Sequence, residues 1–160
     1  MKILVTGDRG YIGSVLTRVL QERSHEVVGY DIDYYQETDL CPVNRSYRKI
    51  TKDLRLIDRE DIGGIDAVVH LAGLSNDPLG ELNPGLTEDI NFKATVKLAT
   101  LAKEAGVKRF IYSSSQSMYG ISQYDCELDE DDSEKKPLTA YAQTKWKAEL
   151  KLKELGSNDF

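Results

Sequence analysis

The opening residues MKILVTGDRGYIG, Met1 to Gly13, carry the stretch on which the fold turns. Ile3-Leu4-Val5 has the length and composition of a buried strand, and it breaks into glycines spaced G-x-x-G-x-x-G at Gly7, Gly10 and Gly13. That order reads as strand, tight turn, helix start. Such a junction lets backbone pass close to a phosphate, aims unpaired helix N–H groups at it and adds the positive end of the helix dipole. Glycines also mark ordinary turns, so the rest of the chain has to supply the context.

Ile12, Val15, Leu16, Val19 and Leu20 follow at the spacing of a helix that buries one face, running to about Arg23. Glu26 to Tyr30 then reads as a second strand. The strand-helix-strand unit of about 30 residues implies parallel pairing through a crossover helix. Asp31 stands at the carboxyl end of that second strand. In a dinucleotide site this is where an acid accepts hydrogen bonds from the adenosine ribose, and its charge repels a 2′-phosphate, favouring NAD over NADP. The other reading of Asp31 is a solvated turn acid, with Asp33 beside it supplying turn chemistry.

Further along, Tyr34 to Arg45 reads as a surface loop, Tyr47 to Ile50 as a short third strand, and Leu54 to Ile62 as a short helix stopped by Gly63-Gly64. Asp66 to Gly73 is a continuous apolar strand of the kind buried on both faces. His70, near its end, reads more simply as a packed, hydrogen-bonded group than as a ligand. Ser75-Asn76-Asp77-Pro78 and Asn83-Pro84-Gly85 mark a long loop. A helix carries Ile90, Ala94, Leu98, Leu101, Ala102 and Ala105 to a cap at Gly106, and Val107 to Ser113 gives another strand. A last helix begins near Leu138. Strands alternating with helices define an α/β chain, a doubly wound parallel sheet covered on both faces.

Composition narrows the function classes. With 160 residues, 40% hydrophobic and 30% charged, the chain is sized for one domain with a sizeable core, spanning 1–160. A net charge of -6 and no basic stripe argue against nucleic acid as a partner. No apolar run reaches the roughly 18 residues of a membrane span, and Met1 leads straight into a strand with no basic leader, the pattern of a cytoplasmic protein. Cys41 and Cys126 lie far apart with no C-x-x-C, which indicates neither a disulfide framework nor a zinc site, and no metal is expected. The acids between Asp125 and Glu134 read as a solvated loop.

The chemistry-bearing pattern is Tyr141 and Lys145, a Y-x-x-x-K that follows the serine run Ser113-Ser114-Ser115. Residues four apart share one helix face. A free phenol has a pKa of about 10 and is a poor base at neutral pH. An ammonium 4 Å away is worth up to about 4 kcal/mol at an effective dielectric of 20, enough to favour phenolate. Tyr141 thereby becomes a candidate proton acceptor, and a serine hydroxyl at the same substrate oxygen would orient it. Taken in isolation, Tyr141 and Lys145 would equally suit a surface pair.

In combination these motifs resemble the extended short-chain dehydrogenase/reductase family, and within it the NAD-dependent nucleotide-sugar epimerases and dehydratases. The resemblance rests on T-G-x-x-G-Y-I-G at Thr6 to Gly13, Asp31, Asp53-Leu54, His70-Leu71-Ala72-Gly73, Asn91, the run from Tyr112 to Gly120, and Tyr141-Ala142-Gln143-Thr144-Lys145. It implies that Gly7, Gly10, Tyr11, Ile12 and Gly13 cradle the pyrophosphate of NAD and that Asp31 holds its ribose. It further implies that Asp53 and Leu54 flank the adenine, and that Leu71, Ala72 and Gly73 line the cofactor. Ser115 would be the catalytic serine, Tyr141 the base, and Lys145 both its activator and a ligand of the nicotinamide ribose. The substrate would be a nucleotide sugar, oxidised at a carbon by hydride transfer to NAD, and the helices carrying Asn91 and Tyr141 would pair across a two-fold in a homodimer. Gln116-Ser117 stands where the family's dehydratases place Asp-Glu, which puts epimerase ahead of reductase and dehydratase outcomes. Ala94 replaces a usual glycine. Family members run to about twice this length, so the substrate domain is expected to be largely absent from these residues, and a binding module without turnover is the alternative.

Overall fold

The computed structural model describes residues 1–35, 46–121, 127–157 and 159–160. Its centre is β1 (Lys2–Thr6), flanked on one side by β2 (Glu26–Asp31) and on the other by β4 (Ala67–His70). β3 (Arg48–Thr51) adds outside β2, and β5 (Arg109–Tyr112) outside β4. All four pairings are parallel, in the order β3-β2-β1-β4-β5. Leu4 and Val5 of the central strand have no exposed surface. Burying each is worth about 1.5–3 kcal/mol, which is why an apolar strand without alternation sits at the middle.

Alternation inside β1 sends its residues to two layers. Leu4 joins Val28, Tyr30 and Val68 under α4 (Thr95–Glu104), whose Leu98 and Ala102 are fully buried. Ile3 and Val5 join Val27 and Ala67 under α1 (Tyr11–Glu22), against Leu16 and Leu20. The buried positions of α1 are Gly13 and Thr17, whereas Ile12 and Val15, expected on its inward face, are 58% and 52% exposed. Their apolar spacing is real, but α1 meets the sheet through a narrower stripe. On the same side Ile111, paired with Val69, is 57% exposed, so the layer stops short of β5.

Two expected elements differ. Instead of one helix over Leu54 to Ile62 there are two 3-10 turns, Leu54–Leu56 and Glu60–Ile62. Ile57 between them turns to extended backbone (ψ 140°) and is fully buried, while Asp58 accepts from the nitrogens of Glu60 and Asp61. The stretch read as a long loop from Ser75 to Gly85 is helical: α2 (Asp77–Leu82) and α3 (Pro84–Thr87). Asn76 and Asn83 cap them by accepting from Leu79 and Leu86 nitrogens, each at 3.0 Å, and proline occupies the first turn of both. Asparagine and proline punctuate loops and start helices with the same chemistry. A π-helical turn, Glu88–Ala94, then leads into α4. Gly106 (φ +78°) closes α4 as expected. The last helix, α5 (Ala140–Leu155), is capped by Thr139 and packs beside α4 and the π turn.

The expected loop from Tyr34 to Arg45 falls mostly, and Cys41 and Cys126 wholly, outside the described residues. The acids Glu127 to Asp132 are exposed, with Asp129 accepting from the nitrogens of Asp131 and Asp132.

Candidate active site

The strand order reverses direction at β1, so the carboxyl ends of β1 and β4 bound a crevice, the position where open parallel sheets bind ligands. The glycine loop fills its floor. Gly7 has φ +74° and donates to the Tyr30 carbonyl at 2.8 Å, and a Cβ on it would stand 2.8 Å from the Ala72 nitrogen. A Cβ on Gly13 would collide with the Gly7 carbonyl oxygen. Both positions therefore exclude side chains for reasons of close approach. Gly10 begins α1 with no side chain to cap it, and the first helical turn holds no acid. That combination fits a diphosphate: an anion at the amino end would meet helix N–H groups and no repelling carboxylate. Tyr11 and Ile12 are exposed at the mouth.

Leu71 and Ala72 continue β4 along the crevice, their nitrogens donating to the Thr6 carbonyl (3.1 Å) and Thr6 Oγ1 (3.3 Å). Gly73 lies against Asn91, whose Oδ1 would be 2.9 Å from a Cβ there. Asn91 is buried in the π turn and clamps Leu74 twice, accepting from its nitrogen at 2.8 Å and donating to its carbonyl at 3.0 Å. Thr6 and Asn91 thus fix the strand end that carries Leu71, Ala72 and Gly73.

Asp31 closes β2, and its carboxylate accepts from the nitrogens of Arg9 (3.2 Å) and Asp33 (2.8 Å). Asp31 thus meets the glycine loop through Arg9, and Asp33 (φ +63°) makes the turn beside it. Asp53 caps the following 3-10 turn and is held by Arg55, which keeps its carboxyl below the usual range. Leu54 is buried in the core. Asp8, fully buried, accepts from the Tyr47 hydroxyl at 2.8 Å, and its carboxyl is pushed up by burial. It occupies the space that a side chain at Gly29 would take. Nothing in the sequence marks Asp8 or Arg9, because both stand inside a motif in which only the glycines are regularly spaced.

His70 ends β4 as a packed group. Its ring nitrogens meet Thr6 Oγ1 at 2.6 Å and Thr95 Oγ1 at 2.7 Å, and burial, aided by the Lys145 charge, lowers its pKa to about 3. The ring stacks on Tyr112 at a centroid distance of 5.8 Å. Lys145 lies on Tyr112: its Nζ is 4.7 Å from that ring's centroid and donates to the Ser113 carbonyl at 2.8 Å. Lys145 is only 7% exposed, and burial lowers its pKa to about 8. Its Nζ is 6.0 Å from the centroid of the half-buried Tyr141 ring, one helical turn earlier. Ser115 follows β5 and accepts from the Ser117 nitrogen at 3.2 Å. It lines a pocket of about 290 Å³ with Ser114, Gln116, Met118, Tyr119, Glu130 and Glu149, whereas Tyr141 and Lys145 are not on its walls.

A doubly wound parallel sheet with a glycine cradle at its switch point and an acid at the end of β2 defines a dinucleotide-binding α/β protein. The chain belongs to the NAD dependent epimerase/dehydratase family, whose model matches residues 3–158. NAD is accordingly the cofactor for which the cradle is built. The chain is 37% identical over 129 residues to a UDP-glucose 4-epimerase of Klebsiella pneumoniae, covering 75% of this chain and 93% of that protein. Among solved structures it is similar to MoeE5 in complex with UDP-glucose and NAD (31% identity, TM-score 0.83). It is also similar to a UDP-N-acetylglucosamine 4-epimerase from Methanobrevibacter ruminantium M1 in complex with UDP-N-acetylmuramic acid (29%, TM-score 0.86). These two comparisons cover 97% and 96% of this chain and 49% of each of those chains. The chain likewise spans about half the length of several other curated relatives that it matches. Among the described residues no helix is long and apolar enough to cross a membrane, and no three metal-ligating side chains converge.

Proposed function

We propose that residues 1–160 are the NAD-binding, proton-handling half of a nucleotide-sugar epimerase. The observation that carries this reading is the ammonium of Lys145, buried on the Tyr112 ring one helical turn from Tyr141 and close enough to His70, at the end of β4, to lower its pKa. Lys145 has no carboxylate partner among the described residues, and a buried lysine of that kind is expensive to keep, which supports a role in chemistry. In this reading the loop from Gly7 to Gly13, with Tyr11 and Ile12, holds the pyrophosphate and Asp31 the adenosine ribose. Asp53 and Leu54 flank the adenine, and Leu71, Ala72 and Gly73 line the dinucleotide.

Bound NAD supplies a hydride acceptor for the sugar carbon. The protein's part is to take the proton from the hydroxyl on that carbon: Ser115 orients the hydroxyl, and Tyr141 receives the proton as the C–H bond gives up its hydride. Lys145 holds positive charge beside Tyr141 and binds the nicotinamide ribose. For inversion, Tyr141 would give the proton back to the same oxygen when the sugar carbon is re-reduced from its opposite face. Gln116 and Ser117 offer no carboxylate for removing a second proton, which favours epimerisation over dehydration. The same reading carries a homodimer through the helices bearing Asn91 and Tyr141, which light scattering tests.

Calorimetric titration with NAD of the wild-type chain and of Asp31→Ala is the direct test. Loss of affinity in the variant is expected, and equal affinity would remove the ribose assignment. A second reading follows from coverage of only half of each solved relative: dinucleotide binding without turnover. Intact NAD binding with no reduction of NAD on adding UDP-glucose would favour it.

A further inference from the structure

The side chain of Arg9 occupies a position that the glycine turn itself does not require. It is 7% exposed and runs from the glycine loop across the ends of β2 and β3. One terminal nitrogen pairs with the Asp33 carboxylate, the other donates to Thr51 Oγ1 at 3.2 Å, and Nε stands 3.9 Å from Asp8 Oδ2 without a hydrogen-bond partner. The backbone nitrogen of the same residue donates to Asp31. The guanidinium is therefore set between Asp8 and Asp33, and the backbone of the same residue reaches Asp31, the acid read above as the ribose ligand. The Asp33 nitrogen in turn donates to Asp31 Oδ1, and Asp33 Oδ1 is buried without a hydrogen-bond partner among the described residues.

A planar fork of donors beside an adenosine ribose is the group that recognises a 2′-phosphate, whereas a carboxylate there recognises the 2′-hydroxyl. This chain holds both, and the fork is already committed. We propose that the Arg9–Asp33 pair is a cofactor-specificity latch. Asp33 sequesters the Arg9 guanidinium and, together with Asp31, leaves the 2′ position facing net negative charge, so NADP is refused. Opening the latch frees Arg9 to bind a 2′-phosphate. Discrimination thus resides in two acids and one cation, with Asp33 controlling the cation. The inference rests on the assignment of Asp31 to the ribose.

The test is titration of the 160-residue chain with NAD and with NADP in wild type, Asp33→Asn, Arg9→Met and the double variant, each checked for folding by circular dichroism. Asparagine tolerates the left-handed backbone at 33 and removes only the charge. Asp33→Gly, which suits that backbone equally, serves if Asp33→Asn does not fold. In Asp33→Asn, affinity for NADP should rise about tenfold relative to NAD, the scale of one charge-assisted hydrogen bond, and the gain should shrink with added salt. Arg9→Met placed on Asp33→Asn should abolish the gain. An unchanged NADP-to-NAD ratio in Asp33→Asn, or a gain that survives Arg9→Met, overturns the latch while leaving Asp31 untouched. A wild-type chain whose NAD affinity is the same as that of Asp31→Ala overturns the ribose assignment and the latch with it.

Discussion

Gly80 of α2 lies directly against Tyr141 of α5: a Cβ on it would stand 3.1 Å from Tyr141 Cβ and 3.3 Å from the Tyr141 nitrogen. The contact is reinforced on both flanks of Gly80. Asp77 accepts from Thr139 Oγ1 and Glu81 from the Ala140 nitrogen, each at 2.5 Å. The short helix thus seats the amino end of the helix that carries the candidate base. Gly80→Val should overpack this contact and lower stability by about 1–3 kcal/mol, read as a reduced urea midpoint. An unchanged midpoint would show that α2 yields freely and does not locate Tyr141.

His70 gives the chain an acid-sensitive core. Its folded pKa of about 3 lies below the ordinary 6.5, so between these values the unfolded chain binds a proton that the folded chain refuses. Stability is fully present above pH 6.5 and should fall by up to about 1.4 kcal/mol for each pH unit below it. Urea unfolding across this range, compared with His70→Gln, measures the effect. Equal slopes in the two proteins would assign the acid sensitivity to other groups.

Lys145 obeys the same linkage in a higher pH window. Its folded pKa of about 8 is below the ordinary 10.5, so at neutral pH the fold carries a buried ammonium that the unfolded chain solvates. Lys145→Met should therefore be more stable than wild type by about 1–3 kcal/mol at pH 7, after allowing for the lost hydrogen bond to Ser113. The sign is fixed by linkage: wild-type stability rises from pH 8 to 10.5, so the advantage of the variant should shrink over that interval. A variant less stable than wild type at pH 7 would mean that the ammonium is a net structural asset.

Gly29 sits in the middle of β2, where the buried carboxyl of Asp8 occupies the place of a side chain. Gly29→Ala should displace Asp8 and with it the Tyr47 hydrogen bond, destabilising the chain by about 1–3 kcal/mol. Adding Asp8→Ala should restore part of the loss, a coupling that a double-mutant cycle reads directly.

What could be read before folding and what could not divides along physical lines. Gly7 and Gly13 are visible because a close backbone approach admits one residue type, and Tyr141 and Lys145 are visible because four positions on a helix make one turn. The pairing of Arg9 with Asp33 is a tertiary contact between two ordinary charged residues, and no local spacing announces it. α2 and α3 were hidden because Asn76, Pro78, Asn83 and Pro84 belong equally to turns and to helix starts. Apolar spacing in α1 was read correctly as a helix, but periodicity does not tell how wide a stripe the sheet will cover, and Ile12 and Val15 lie beyond it.

The place of β1 in the sheet also orders events in time. It is the first of the five strands to leave the ribosome, yet it lies at the centre of the sheet, and the second of its two neighbours, β4, is not complete until residue 70. Until then one edge of the central strand has nothing to pair with, and every strand contact in the sheet spans a long stretch of chain. Such pairings close slowly and leave sticky intermediates exposed. The nascent chain is therefore most vulnerable to misassociation between the synthesis of β2 and that of β4, a window in which chaperone occupancy on stalled chains should be greatest.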